Sequence, residues 1–257
     1  MNIAAILHNQ AEARPDAAAI IDVYRGKDRS TSFAGLERAS ARGAALLLAS
    51  GLRTGDTVLV FQPMSAELYI ALMALFRASM TAMFLDPSAG RAHLEQCCAI
   101  RPPAALIASP KAHLLRLISP ALRRIPQHFS LGSYVPGSIS WNRSYRLQPH
   151  LPITPCDGDT PALITFTSGS TGQPKAAVRS HGFLLEQHRV LERTIHLTAD
   201  TVDLTTLPVF VLANLARGSP RCCPMRTCAA PAAARRNRCC ARSSVFDPLP
   251  WWHLRLF

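Results

Sequence analysis

Six consecutive residues, Thr167–Gly172, read TSGSTG, and a lysine follows at Lys175. Four hydroxyls, two glycines and an ammonium fall within this stretch, with no acid among them. Gly169 and Gly172 let the backbone approach a ligand closely and turn its N–H groups inward. Thr167, Ser168, Ser170, Thr171 and Lys175 add side-chain donors, and the chemistry that uses such a set is the binding and release of a polyphosphate. It is not a Walker A loop, because GxxxxGK[ST] is absent and the lysine leads into a strand rather than a helix. On composition alone, a solvated Gly/Ser turn fits as well.

The flanking residues say what must position this loop. PALITF (Pro161–Phe166) is a buried strand running into it, KAAVR is a returning strand, and SHGFLLEQHRVLERTI is a helix with Phe183, Leu184, Val190, Leu191 and Ile195 on one side. Upstream, Ile3, Ile6 and Leu7 have helical spacing, and AAAIIDV (Ala17–Val23) is a short buried strand. Ser32 caps a helix whose apolar face holds Leu36, Leu46 and Leu47, with Gly51 as its stop. RTGDTVLVF is a turn feeding a strand. A helix near Ala66–Ala78, a strand at Thr81–Leu85, a helix near Arg91–Ile100 and a strand at Ala104–Ala108 follow. Unbroken apolar strands alternating with helices predict an α/β fold with a mainly parallel sheet flanked by helices. Residues 130–160, rich in Pro, Ser, Gly and Arg, read as a long connection.

The chain has 257 residues, 48% of them hydrophobic, and a net charge of +12. Residues 218–257 hold seven arginines and one acid; the other +6, from 21 basic and 15 acidic residues, is spread over 217 positions and reads as background. The N-terminus lacks the basic and apolar regions of a secretory signal. The apolar stretch Leu68–Leu85 is interrupted by Arg77 and Ser79, so a buried helix and strand explain it better than a membrane span. The expected setting is cytoplasmic, with reduced thiols.

The order of residues in FTSGSTGQPK closely resembles the phosphate-loop signature of the AMP-forming adenylating superfamily, which includes acyl-CoA synthetases, fatty acyl-AMP ligases and the adenylation domains of peptide synthetases. SFAGLERASARGAALLLASGLRTGDTVLV resembles the family's early helix and strand entry. TTLPVFVLANL (Thr205–Leu215) sits where the family carries a segment lining the acyl pocket. The resemblance covers residues 1–217, as a partial and incomplete N-terminal domain of an adenylate-forming enzyme. It implies that a carboxylate attacks the α-phosphate of Mg·ATP, giving acyl-AMP and pyrophosphate, before transfer to a thiol such as CoA. Thr167, Ser168, Gly169, Ser170, Thr171, Gly172 and Lys175 would hold the departing phosphates, and Mg²⁺ would share that work. Phe210 and Val211 would border an apolar pocket suited to a fatty acid. The Leu/Val run there also resembles the branch that handles long acyl chains, including β-lactone-forming enzymes.

Several features depart from the family. Ala176 replaces its usual glycine, where a methyl could crowd the backbone, and Val211 stands where many members have histidine. The later acid that grips the ribose, the Mg²⁺-holding glutamate, the hinge and the catalytic lysine are not found after Leu215, so catalysis by this chain alone is not expected. A second polypeptide could carry that half. Residues 218–257 read as an atypical Arg/Cys/Pro-rich tail, out of frame or disordered. Their cysteines lack zinc spacing, and no metal site is expected. A basic arm for nucleic acid is the alternative. Among smaller candidates, His181 follows the loop's returning strand and is weighed as a nucleotide contact. His188 and Glu192 are read as a solvated face, Asp157 and Asp159 as turn formers, and Cys97–Cys98 as core.

Overall fold

The computed structural model describes residues 1–86, 89–150, 152–168, 173–194, 203–204 and 221–222. The chain opens with α1 (Ala4–Ala13) and the antiparallel hairpin β1 (Ala18–Tyr24) and β2 (Lys27–Ser32). Then come α2 (Phe33–Ala49), β3 (Thr57–Phe61), α3 (Ala66–Arg77), β4 (Thr81–Phe84), α4 (Arg91–Ile100) and β5 (Ala105–Ala108). Two one-turn helices, α5 (Leu115–Ile118) and α6 (Pro120–Arg123), precede β6 (Gln127–Ser130) and β7 (Ile139–Ser140). The chain continues through β8 (Pro161–Ser168), β9 (Pro174–Ser180) and α7 (His181–Thr194). Two short strands, β10 (Asp203–Leu204) and β11 (Arg221–Cys222), complete the described residues.

The main sheet has the order β7-β6-β5-β3-β4-β8-β9, with every neighbouring pair parallel except β8–β9. Both faces are covered, as the unbroken apolar strands predict. Val58, Val60, Ala105, Ile107 and Leu163 enter the core on the side of α1, α2 and α3. The alternate residues Leu59, Phe61, Leu106, Ala108 and Ile164 pack on the other side, with Leu94 of α4 and Leu122 of α6. Period-two alternation therefore splits each strand between two cores.

Local sequence explains most boundaries. Ser32 caps α2 by accepting the Gly35 N–H at 3.2 Å, and Gly51 follows the helix at φ +94°, a conformation that disfavours side chains. The Leu68–Leu85 stretch divides into α3 and β4, and no described helix is long and apolar enough to cross a membrane. Arg77 ends α3 fully buried and paired with Glu37 of α2. Ser65, the natural cap of α3, makes no capping bond. The buried Asp22 carboxylate on β1 instead accepts the Ala66 N–H at 2.8 Å. Arg29 of β2 binds both Asp22 and Glu67, tying the first hairpin to that helix. Burial opposes ionisation of Glu67, but its bond to Arg29 and nearby groups together lower its pKa.

Two expectations need correction, and one strand was not anticipated. The 130–160 connection contains β7 and a 3-10 turn, Trp141–Arg146, where Trp141 meets Phe129 edge-on at 6.4 Å between ring centroids. β2, which reads KDRSTS, has no apolar alternation to reveal it and exists because β1 and Arg29 hold it. On α7, Phe183 and Val190 are 52% and 60% exposed while Leu184 is buried. Positions 183 and 190 share one helical stripe and 184 and 191 the next, so a single apolar face was the wrong reading of the helix. The side chain of Ile195 lies outside the described residues. Arg221–Cys222, inside the Arg/Cys/Pro-rich segment, pairs in parallel with Ile20–Ile21 of β1.

Candidate nucleotide site

β8 lies sixth in the sheet order, between β4 and β9, and ends where the glycine-hydroxyl loop begins. Because β3, β4, β5 and β8 are parallel, their carboxyl ends lie along one edge, where open α/β sheets place their ligands. The β8–β9 hairpin register makes Thr167 and Lys175 direct partners, and Ser168 pairs with Pro174. Direct partners in an antiparallel pair point to the same side. A hydroxyl and an ammonium thus stand together at the mouth of the hairpin, and both side chains are exposed. Gly169, Ser170, Thr171 and Gly172 lie outside the described residues, as do Phe210 and Val211.

The same face continues down the hairpin through Thr165 and Arg179, whose Nη1 donates to the Thr165 hydroxyl at 2.8 Å. The opposite face carries Ile164, Phe166, Ala176 and Val178. Ala176 pairs with Phe166 and is exposed, so its methyl points away from the Thr167–Lys175 face and does not crowd it. Arg179 was missed by the sequence reading; alternation from Lys175 through Ala177 is the signal that places it on the polar face.

His181 does not reach the mouth. It sits at the other end of the hairpin, beside the Pro161–Ser180 pair, about 20 Å away along the strands. Its backbone N–H donates to Thr160 O at 3.0 Å, and its Nδ1 accepts the Ile3 N–H at 3.2 Å. The ring is fully buried and meets Phe76 edge-on at 5.9 Å. Burial, with the nearby N-terminal ammonium, lowers its pKa to about 4, so it is neutral at pH 7. Gly182 fits here because its N–H donates to Gly158 O at 2.8 Å; a Cβ would lie 2.9 Å from that same oxygen. His181 is an anchor, not a nucleotide contact.

Of the remaining candidates, the Asp157 turn and the Cys97–Cys98 core fall where the sequence put them. Asp157 accepts the Thr160 N–H in a turn, at 3.1 Å. Cys97 and Cys98 are buried in α4, and burial raises both thiols to about 11. His188 is half-buried on α7, while the Glu192 side chain lies outside the described residues. Among the described residues, no group of three or more His, Cys, Asp or Glu could hold a metal ion. Mg²⁺ commonly binds through substrate phosphates and one or two carboxylates, so the donor set at this mouth fits a phosphate that brings its own metal.

Comparison with known proteins gives the same direction. The family model described as AMP-binding enzyme matches residues 7–218. An olefin beta-lactone synthetase of Stenotrophomonas maltophilia is 33% identical over 234 residues, 84% of this chain and 41% of the relative. A salicyl-AMP ligase / salicyl-S-ArCP synthetase of Mycobacterium tuberculosis is 28% identical over 79% of this chain and 37% of its own length. Among solved structures, apo MbtA of Mycobacterium smegmatis superposes with a TM-score of 0.75 at 26% identity, over 86% of this chain and 43% of that one. The N-terminal domain of FACL13 from Mycobacterium tuberculosis, at 21% identity and a TM-score of 0.75, shares the fold. The chain spans about two fifths of the length of the olefin beta-lactone synthetases it matches.

Proposed function

This chain belongs to the AMP-binding enzyme family, and from that premise we propose that it forms the phosphate-binding part of an ATP-dependent acyl-adenylating ligase. The observation that carries the reading is the paired, exposed Thr167 and Lys175 at the carboxyl end of β8. In the proposed reaction a carboxylate oxygen bonds to the α-phosphorus of ATP. The bond from that phosphorus to the bridging oxygen breaks, and pyrophosphate leaves with the electron pair. Such chemistry depends on positioning and charge neutralisation more than on covalent help. Lys175 would meet the departing β- and γ-phosphates as a cation, and Thr167 and Ser168, with Gly169–Gly172, would supply hydrogen bonds. Mg²⁺, held through the phosphate oxygens, would supply further charge neutralisation.

The acid is proposed to be fatty, with Phe210 and Val211 bordering its pocket, and the acyl group to pass to a thiol such as CoA. Ribose contact, the Mg²⁺-holding glutamate, the hinge and the second lysine would come from a complementary half. By itself the chain is proposed to bind nucleotide without turning it over. Exposed Val178, Phe183 and Val190 support that reading, since a half-domain leaves apolar surface uncovered. Residues 218–257 are proposed to be an out-of-frame or disordered tail, and the proposed setting is the cytoplasm.

Pyrophosphate exchange with a panel of fatty acids, run beside nucleic-acid binding, tests the proposal. It expects MgATP binding without exchange, and exchange once a complementary half is supplied. Salt-sensitive nucleic-acid binding with no affinity for ATP would instead support a basic-tailed binding remnant.

A further inference from the structure

The background charge is not spread evenly. Residues 1–95 hold nine bases and nine acids, and residues 157–217 hold five and six. Residues 96–156 hold seven bases, Arg101, Lys111, Arg116, Arg123, Arg124, Arg143 and Arg146, and no acid at all. Topology gathers this stretch at one end of the sheet, where β5, β6 and β7 are consecutive, with α5 and α6 on one face and Arg143 and Arg146 beside α2 on the other. The apolar exposure is there too. Leu114, Leu117 and Ile118 are 62%, 73% and 57% exposed around α5, and Tyr134 is also exposed.

These aliphatic side chains are held outward by the fold. On the inner side His113 is buried, its Nε2 bonded to Phe129 O at 3.1 Å, and His128 bonds Leu122 O at 2.9 Å. Ser119 caps α6, with Leu122 buried beneath it. The short helices are thus clamped to β6 by their polar and apolar inner residues, leaving Leu117 and Ile118 on the outside. Around them Lys111, Arg123 and Arg124 are exposed and Arg116 is half-buried, and none of the four forms an ion pair among the described residues. Arg116 Nη1 lies 3.5 Å from Pro136 O, which brings the loop carrying Tyr134 alongside.

We propose that the β5–β6–β7 end of the sheet is a peripheral docking surface for an anionic lipid bilayer. Leu114, Leu117 and Ile118 would enter the boundary between headgroups and acyl chains, and Lys111, Arg116, Arg123 and Arg124 would meet the lipid phosphates. Charge complementarity selects an anionic partner, and the aliphatic side chains select a bilayer. A nucleic acid would use the cations and leave Leu117 and Ile118 in water, whereas a lipid interface takes both. The proposal does not depend on the nucleotide reading.

Sedimentation of the full chain with vesicles tests it. Vesicles of phosphatidylcholine containing about a third phosphatidylglycerol should bind at least tenfold more tightly than phosphatidylcholine alone. R123E/R124E and L117D/I118D should each weaken binding by about tenfold, with unchanged melting temperatures because these side chains are exposed. R38E/R53E, the same charge change on another part of the surface, should leave binding intact. Absence of vesicle binding, or equal binding to neutral vesicles, would overturn the proposal. So would binding insensitive to both α5–α6 variants, which would assign it to the C-terminal arginines. Loss in R123E/R124E but not in L117D/I118D, with capture on polyglutamate beads, would identify a soluble acidic polymer instead.

Discussion

The two ends of the β8–β9 hairpin are built on opposite principles. At its base, Pro161 and Ser180 pair beside a fully buried neutral histidine, a glycine packed against Gly158 and the first residues of the chain. At its mouth, Thr167 and Lys175 face each other in solvent. The base pairs its backbone N–H groups and His181 Nδ1 internally, with His181 Nε2 left buried and unpartnered, and the mouth leaves its polar groups in solvent for a ligand. In this protein, burial separates the polar residues that hold the fold from those left to bind.

Perturbations should therefore separate cleanly between stability and affinity. The largest effect is acid. His181 has a folded pKa of about 4, below its ordinary value of about 6.5 in an unfolded chain. The unfolded state then binds more protons between those values, so stability is full above about pH 6.5 and falls as the pH drops toward 4, by about 3 kcal/mol. His113 and His128, also lowered by burial, act in the same direction. Urea titrations across that window should show the fall, and His181→Asn should remove the largest part of it. A flat profile in the unsubstituted chain would break the contrast.

Gly182→Val should come next. Its new side chain meets Gly158 backbone at under 3 Å, and overpacking of this kind costs about 2 to 3 kcal/mol. The midpoint in urea should move while the affinity of the folded fraction for MgATP stays the same. Lys175→Ala should do the reverse, weakening MgATP by about 2 kcal/mol, or thirtyfold, with the urea midpoint unmoved. Thr167→Val, which keeps the β-branched shape, should cost about 1 kcal/mol of affinity by calorimetry. A thermal shift in Lys175→Ala as large as in Gly182→Val would erase the distinction.

The sheet was legible because its strands are short unbroken apolar runs separated by helical spacing, and α3, β4, α4 and β5 fall within a residue or so of expectation. The hairpin mouth was legible because hydroxyls, glycines and a lysine concentrate there. The base was not. His181 meets Ile3, 178 residues away in sequence, and no local pattern announces such a contact. The polar β2 was hidden for the same reason, since its partners Asp22 and Glu67 lie on different elements. The acid-free stretch was visible in the sequence throughout, and became informative only when the topology placed β5, β6 and β7 side by side.

The most direct test of the central claim is a calorimetric titration of the full chain with MgATP, repeated on Lys175→Ala. The account predicts saturable one-to-one binding that the substitution weakens about thirtyfold without changing the melting temperature. Equal affinity in the two proteins, or no heat of binding in either, would contradict it.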